Sequence, residues 1–208
     1  METKIIGFVG RDCYDIVFYL ARTAFQLGCS CLIEDYSGTG MCNYVSSMQI
    51  PVNEAVDNRG VDICNGQCMA GYAGYGYVFR YFGQVVGIPF KCEEVYFVTD
   101  GQLHEVGILQ EVQTEGSFNV LLVRSRNRLH ARLGSVKMAL ARFGFGENVM
   151  ELDFNEEDEA ARLSIQYENT PKIKRISSSA VDLIVKFFEI DYDKKLIRSA
   201  IKELLRGR

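Results

Sequence analysis

The chain has only 3 prolines and 2 histidines in 208 residues, and no apolar run approaches the length needed to span a bilayer. So little proline argues against long linkers or disordered tracts. Neither His104 nor His130 lies near a cysteine in sequence, which leaves little material for a metal site. A net charge of −4 supplies no general attraction to nucleic acid or anionic membrane. Nothing resembling a secretory signal precedes Arg11 and Asp12. The 7 cysteines, an odd number, are therefore expected to be reduced thiols of a cytoplasmic protein. Cys29-x-Cys31 lies in an apolar strand, and it and Cys64-x3-Cys68 read as small buried hydrophobes rather than metal ligands.

What is present points to an α/β domain. Apolar residues make up 48% of the chain, enough for a sizeable core. Continuous apolar strands are expected at Lys4–Gly10, Cys29–Ile33, Gly60–Cys64, Tyr77–Phe82, Glu93–Val98, Phe118–Val123 and Asn148–Leu152. Helical spacing predicts helices at Ile16–Leu27, Leu103–Val112, Ala131–Phe143, after Asn155, and at Ser178–Phe188 and Asp193–Leu205. Gly66 to Gly76, with four glycines, reads as a hairpin or loop. Alternating strands and helices imply a three-layer fold with a mostly parallel sheet of about seven strands. The domain is expected over residues 1–190, followed by a basic amphipathic helix over 191–208.

The first 36 residues form a strand–loop–helix–strand unit, where nucleotide folds often place a phosphate loop. Such a loop needs glycines, a Lys and a Ser or Thr. Here Gly10 to Val17 read Gly-Arg-Asp-Cys-Tyr-Asp-Ile-Val. An anion site at a helix N-terminus works through free N–H groups and a positive dipole end. Asp12 and Asp15 put carboxylates at that end, where they are expected to cap the N–H groups and repel a triphosphate. Glu34 and Asp35 end the second strand, where α/β folds bind ligands. They could serve as general acids or metal ligands; a salt bridge with Arg11, or simple solvation, is the favoured expectation.

Further motifs extend the pattern. Tyr75-Gly76-Tyr77-Val78-Phe79-Arg80-Tyr81-Phe82-Gly83 has the texture of a Walker B strand. Val95 to Asp100, Asn119 to Asn127, and Leu152 through an acidic helix to Pro171 follow in order. Together with Lys4–Gly10 and Leu32–Tyr36, this order resembles the MinD/ParA-type deviant-Walker P-loop ATPases over nearly the whole chain. The resemblance also exposes departures. By position, the phosphate-loop Lys falls at Ile16, the magnesium-binding Ser/Thr at Val17, the early extra Lys at Arg11 and the Walker B Asp at Tyr81. Without the Lys and Mg²⁺, charge developing in phosphoryl transfer has little to stabilise it. The resemblance thus implies a degenerate nucleotide site comprising Gly10, Arg11, Asp12, Asp15, Ile16, Val17, Glu34, Asp35, Tyr81 and Gly83. It implies a non-catalytic scaffold or localisation protein, with no cofactor and no metal, of the kind that accompanies pilus or secretion assembly, cell division or partition. Relatives dimerise at that face, so a homodimer or another protein partner is expected.

Two rival readings remain at this level: an ATPase binding ATP and Mg²⁺ through an atypical loop, and a small-ligand enzyme on a Rossmann-like fold. Arg124, Arg126, Arg128, His130 and Arg132 form a local basic segment; a solvated loop is favoured over nucleic-acid binding. Tyr77, Phe79 and Tyr81 share one face of their strand, and half-buried packing is favoured over an interface. The last helix sets Leu196, Ile197, Ala200, Ile201, Leu204 and Leu205 against a basic remainder. That pattern suits docking on its own domain, a partner, or peripheral membrane contact.

Overall fold

The structure, a computed structural model, describes residues 2–45, 49–84, 91–101, 117–125, 138, 140–142, 149–167 and 175–206. Eight strands form one sheet: β1 (Lys4–Gly10), β2 (Cys31–Asp35), β3 (Ala55–Asn58), β4 (Val61–Asn65), β5 (Tyr77–Gly83), β6 (Glu94–Thr99), β7 (Ser117–Ser125) and β8 (Val149–Asp153). Their order is β3-β4-β2-β5-β1-β6-β7-β8. Every pairing is parallel except β3 with β4. The described helices are α1 (Tyr14–Gln26), α2 (Cys42–Val45), α3 (Glu156–Tyr167), α4 (Ser178–Phe188) and α5 (Lys194–Leu205).

The strand beyond the expected seven is β3. It escapes hydrophobic patterning because Ala-Val-Asp-Asn is half polar and only partly buried. Turn geometry creates it: Arg59 and Gly60 both have positive φ, at 57° and 88°. That pair of conformations matches the twist of a two-residue hairpin. Two other boundaries move. The first helix begins at Tyr14 rather than Ile16, and the second strand runs Cys31–Asp35 rather than Cys29–Ile33. Ser178–Phe188 stands as expected, with Ser177 Oγ accepting from Ala180 N at 3.1 Å as its cap. Asn155 likewise caps α3, its Oδ1 accepting from Glu157 N at 2.8 Å. The helix expected at 103–112 lies outside the described residues, as does that at 131–143 apart from helical residues 138 and 140–142.

Strand alternation sorts the core into two faces. Ile6, Phe8, Cys31, Ile33, Tyr77, Phe79, Tyr81, Tyr96, Val98 and Leu121 face α1, α4 and α5. On the opposite face, Val9, Phe82, Val95, Phe97 and Val120 meet Leu140, while Leu32 and Val78 lie under Cys68, Tyr72 and Tyr75. Aromatic side chains knit the first face: Phe8 stacks on Tyr96 at 5.3 Å, and Tyr77 meets Phe188 edge-on at 5.6 Å. All 7 cysteines are free and buried, as their apolar settings suggest.

The C-terminal helix docks on its own chain. Ile197, Ala200, Ile201 and Leu204 are buried, and α5 packs against α1 and α4. Lys194, Lys195, Arg198 and Lys202 stay exposed, together with Leu196. No described helix is long and apolar enough to cross a membrane. Truncating the fully buried Ile197 leaves a cavity between α5 and its neighbours. Ile197→Ala is predicted to lower the unfolding free energy in urea by about 2–5 kcal/mol. Leu196→Ala, at an exposed position of the same helix, should change it by no more than about 0.5 kcal/mol.

Candidate functional site

Between β1 and α1 the chain makes a turn of only three residues, Arg11, Asp12 and Cys13. Gly10 has φ +111°, and a Cβ there would collide with the Val98 carbonyl oxygen. This glycine lets the chain leave β1 pressed against β6, and Arg11 N donates to Val98 O at 2.8 Å. The Arg11 guanidinium pairs with Asp100 at the end of β6. This replaces the expected pairing of Arg11 with Glu34 or Asp35, which sit on the other side of β1 beyond β5.

Asp12 organises the turn. Its Oδ1 accepts from Tyr14 N at 3.2 Å and from the Tyr81 hydroxyl at 3.0 Å. Its Oδ2 meets Arg162 of α3 at 3.3 Å, and Arg162 also grips Glu159 at 2.9 Å. A side-chain carboxylate thus occupies the first free N–H of α1, the position an anionic ligand would use. Burial, followed by the nearby Cys13 and Asp12, pushes the Tyr81 phenol far up, so it remains a donor. Tyr81 also meets Tyr14 edge-on at 5.2 Å.

Because α1 already runs at Tyr14, residues 15–17 lie inside its first turns. Asp15 is buried there, and Ile16 and Val17 belong to the hydrophobic core. The Tyr14 hydroxyl is buried without a hydrogen-bond partner. Burial and the neighbouring Asp35 and Cys42 raise its pKa well above the ordinary phenol value.

Glu34 and Asp35 are not solvated. Asp35 closes the following turn: Oδ1 accepts from Ser37 N at 2.9 Å and Ser37 Oγ at 2.6 Å, and Oδ2 accepts from Cys42 N at 2.8 Å. Gly83, with φ +59°, leaves room for Ser37 at that turn; a Cβ there would lie 2.9 Å from Ser37 Cβ. Glu34 is completely buried and pairs with the equally buried Arg80, Nε to Oε2 at 2.9 Å. The parallel register of β2 and β5 places the two residues directly side by side. Glu34 further accepts from Cys68 N at 2.8 Å, Tyr72 OH at 3.0 Å and Tyr36 OH at 3.1 Å. Arg80 donates to Lys91 O at 2.7 Å and to Tyr72 OH at 2.8 Å, with Tyr72's ring under its guanidinium. Burial opposes the Arg80 charge, but its bonds to Glu34 and Tyr72 outweigh that and raise its pKa.

The turn therefore brings together Gly10, Arg11, Asp12 and Tyr81, with Asp35 and Gly83 at the neighbouring strand ends, while Ile16 and Val17 are withdrawn into the core. Arg80, Arg162 and Asp100 were not singled out from sequence. Arg80 had a readable signal: a guanidinium inside an otherwise apolar strand requires a buried carboxylate beside it. Arg162 and Asp100 carried none, since both look like surface charges. Arg124 lies in β7, and Arg126, Arg128, His130 and Arg132 fall outside the described residues. Among the described residues, no group of three or more His, Cys, Asp or Glu is placed to hold a metal ion.

Arg80→Met strands a buried carboxylate and should cost about 3–5 kcal/mol in urea unfolding, whereas Glu34→Leu with Arg80→Met should recover most of that. Cys42 and Cys64 are each pushed up to about 12, chiefly by burial. An unfolded thiol ionises near ~8.5. Between these values the unfolded chain binds fewer protons than the native one, so stability should fall as pH rises from about 9 towards 12. Denaturant midpoints measured across that window check the sign; Cys→Ala at either position should flatten the slope.

No protein-family model matches the sequence, and no curated protein is similar to it in sequence. Solved structures do share its fold. A plasmid partition protein of Borrelia burgdorferi B31, bound to AMPPNP, aligns over 97% of this chain and 99% of its own, with a TM-score of 0.59 at 10% identity. The ParA of pNOB8, bound to nonspecific DNA, aligns over 99% and 98%, with a TM-score of 0.55 at 11% identity. The MinD cell division protein of Aquifex aeolicus aligns over 98% and 97%, with a TM-score of 0.52 at 12% identity. The chain has the three-layer α/β fold of ParA/MinD-type P-loop ATPases.

Proposed function

We propose that this protein is a non-catalytic ParA/MinD-like scaffold or localisation factor whose former nucleotide face has become a self-satisfied structural surface. The observation that carries this reading is Asp12. Its carboxylate takes the α1 N–H group together with Tyr81 and Arg162, filling with internal charge the place where a phosphate would sit. Two further features agree. Arg11 is engaged by Asp100, and positions 16 and 17 face the core, so neither a charge clamp nor a metal hydroxyl can be supplied from them. A triphosphate would have to displace Asp12 and find compensation for its own charge.

The partner this reading calls for is a protein, either a second copy of this chain or another component of a positioning or secretion assembly. Tyr44 on α2 and Leu163 and Tyr167 on α3 are exposed on helices that pack together beside the turn. Exposed aromatic and aliphatic side chains near one face suit protein contact. The covered apolar stripe of α5 favours this over a membrane surface.

Calorimetric titration with ATP and Mg²⁺ tests the proposal. No heat of binding is expected at ligand concentrations up to about 1 mM, a ceiling of roughly −4 kcal/mol. Micromolar affinity, or ATP turnover abolished by Arg11→Ala, overturns it in favour of an ATPase with an atypical loop. Sedimentation should give the same mass with and without nucleotide.

A further inference from the structure

A pocket of about 230 Å³ opens at the end of the sheet opposite the β1–α1 turn. Its floor comes from the first residues of the strands: Lys4 of β1, Tyr77 of β5, and Glu94 with Tyr96 of β6. Its roof is the last turn of α4, with Lys186 and Phe187, and the turn that follows, with Asp191. Ligands of open α/β sheets bind at the carboxyl ends of strands. This pocket lies at the amino ends and shares no residue with the turn described above.

The site is built rather than incidental. Tyr77 donates its hydroxyl to Asp191 at 2.9 Å, and Tyr96 donates to Glu94 at 3.1 Å. Burial, reinforced by those carboxylates, raises both phenols far above their ordinary value, so both remain donors and hold the carboxylates in place. Lys4 neutralises Asp191 at 2.6 Å. Glu94 on the floor and Lys186 on the roof make no ion pair among the described residues. Between them lies an aromatic surface, Tyr96 with Phe187 at 5.5 Å.

Charge accounting selects the occupant. A bare cation satisfies Glu94 but meets Lys186; a bare anion satisfies Lys186 but meets Glu94. A neutral occupant would cover the half-buried Glu94 without pairing it and would leave the exposed Lys186 unused. A zwitterion pairs both at once, its ammonium on Glu94 and its carboxylate on Lys186, with its body on the aromatic floor. The volume lies below the ~300–1,000 Å³ of drug-sized sites, which limits the ligand to a small metabolite. We propose that this pocket binds a small zwitterion with an apolar or aromatic body, an α-amino acid or a close analogue, at a site separate from the former nucleotide face.

Titration of the full chain by calorimetry and by NMR shift perturbation tests this, with L-phenylalanine and L-methionine as probes. Phenethylamine and 3-phenylpropionate, each carrying one of the two charges, serve as comparators. At least one amino acid should bind with a Kd of about 1 mM or tighter. Both single-charge analogues should bind at least tenfold more weakly. Glu94→Gln and Lys186→Met should each weaken the amino acid tenfold or more without changing the melting temperature materially. Met150→Trp, which fills the pocket from β8, should abolish binding. The proposal is overturned if neither amino acid binds, if a single-charge analogue binds as tightly as the zwitterion, or if both charge variants bind unchanged. The outcome of the ATP titration does not bear on any of these.

Discussion

The buried ion pair between Glu34 and Arg80 is the constraint on which the centre of this structure depends. Two opposite charges lie side by side on neighbouring strands with almost no access to water. Desolvating either alone would cost far more than the fold can supply. Their register in β2 and β5 is therefore tied to their chemistry: a slip of one residue would turn one charge to the opposite face and strand the other. The pair also collects Tyr36, Tyr72, the Cys68 amide and the Lys91 carbonyl. It thereby fastens the glycine-rich loop that covers Leu32 and Val78.

The same principle, internal satisfaction of charge at the carboxyl ends of the strands, runs through the neighbouring turn. Asp12, Asp35 and Arg11 each find partners within the chain. A nucleotide-binding site holds such groups, or the amides they occupy, ready for a ligand's charge. Here they are engaged in holding the turn, α2 and α3 in place. The fold shared with partition and cell-division ATPases sets where this face lies, while local side-chain chemistry decides what the face can do. At the opposite end of the sheet the balance differs. Tyr77 and Tyr96 hold two carboxylates at the wall of a pocket that the exposed Lys186 also lines, and Lys186 has no ion pair among the described residues.

Much of this was legible in the sequence. Apolar runs located seven of the eight strands because a parallel sheet buries both faces of each strand, leaving a continuous hydrophobic signature. The last two helices could be placed almost to the residue from their apolar spacing, and the structure adds Ser177 and Asp193 as their caps. Strand β3 was hidden because its partly exposed Ala-Val-Asp-Asn carries no such signature, and a turn rather than a pattern brings it into the sheet. The absence of Lys, Ser and Thr from the turn was plain, and so was the presence of Asp12. Tyr81, 69 residues away, entered the same site only through the family resemblance, and Arg162, 150 residues away, carried no signal at all.

Sequence alone determined the fold class, the order of seven of the eight strands, and the absence of Lys, Ser and Thr from the β1–α1 turn, because these depend on local periodicity and on residue identity. Tertiary structure alone decided that Glu34 answers Arg80, that Arg11 turns to Asp100, and that the terminal helix keeps its apolar stripe inside. Those outcomes depend on which strands become neighbours and in what register. That is set by the collective burial of the core, and no short stretch of the chain records it.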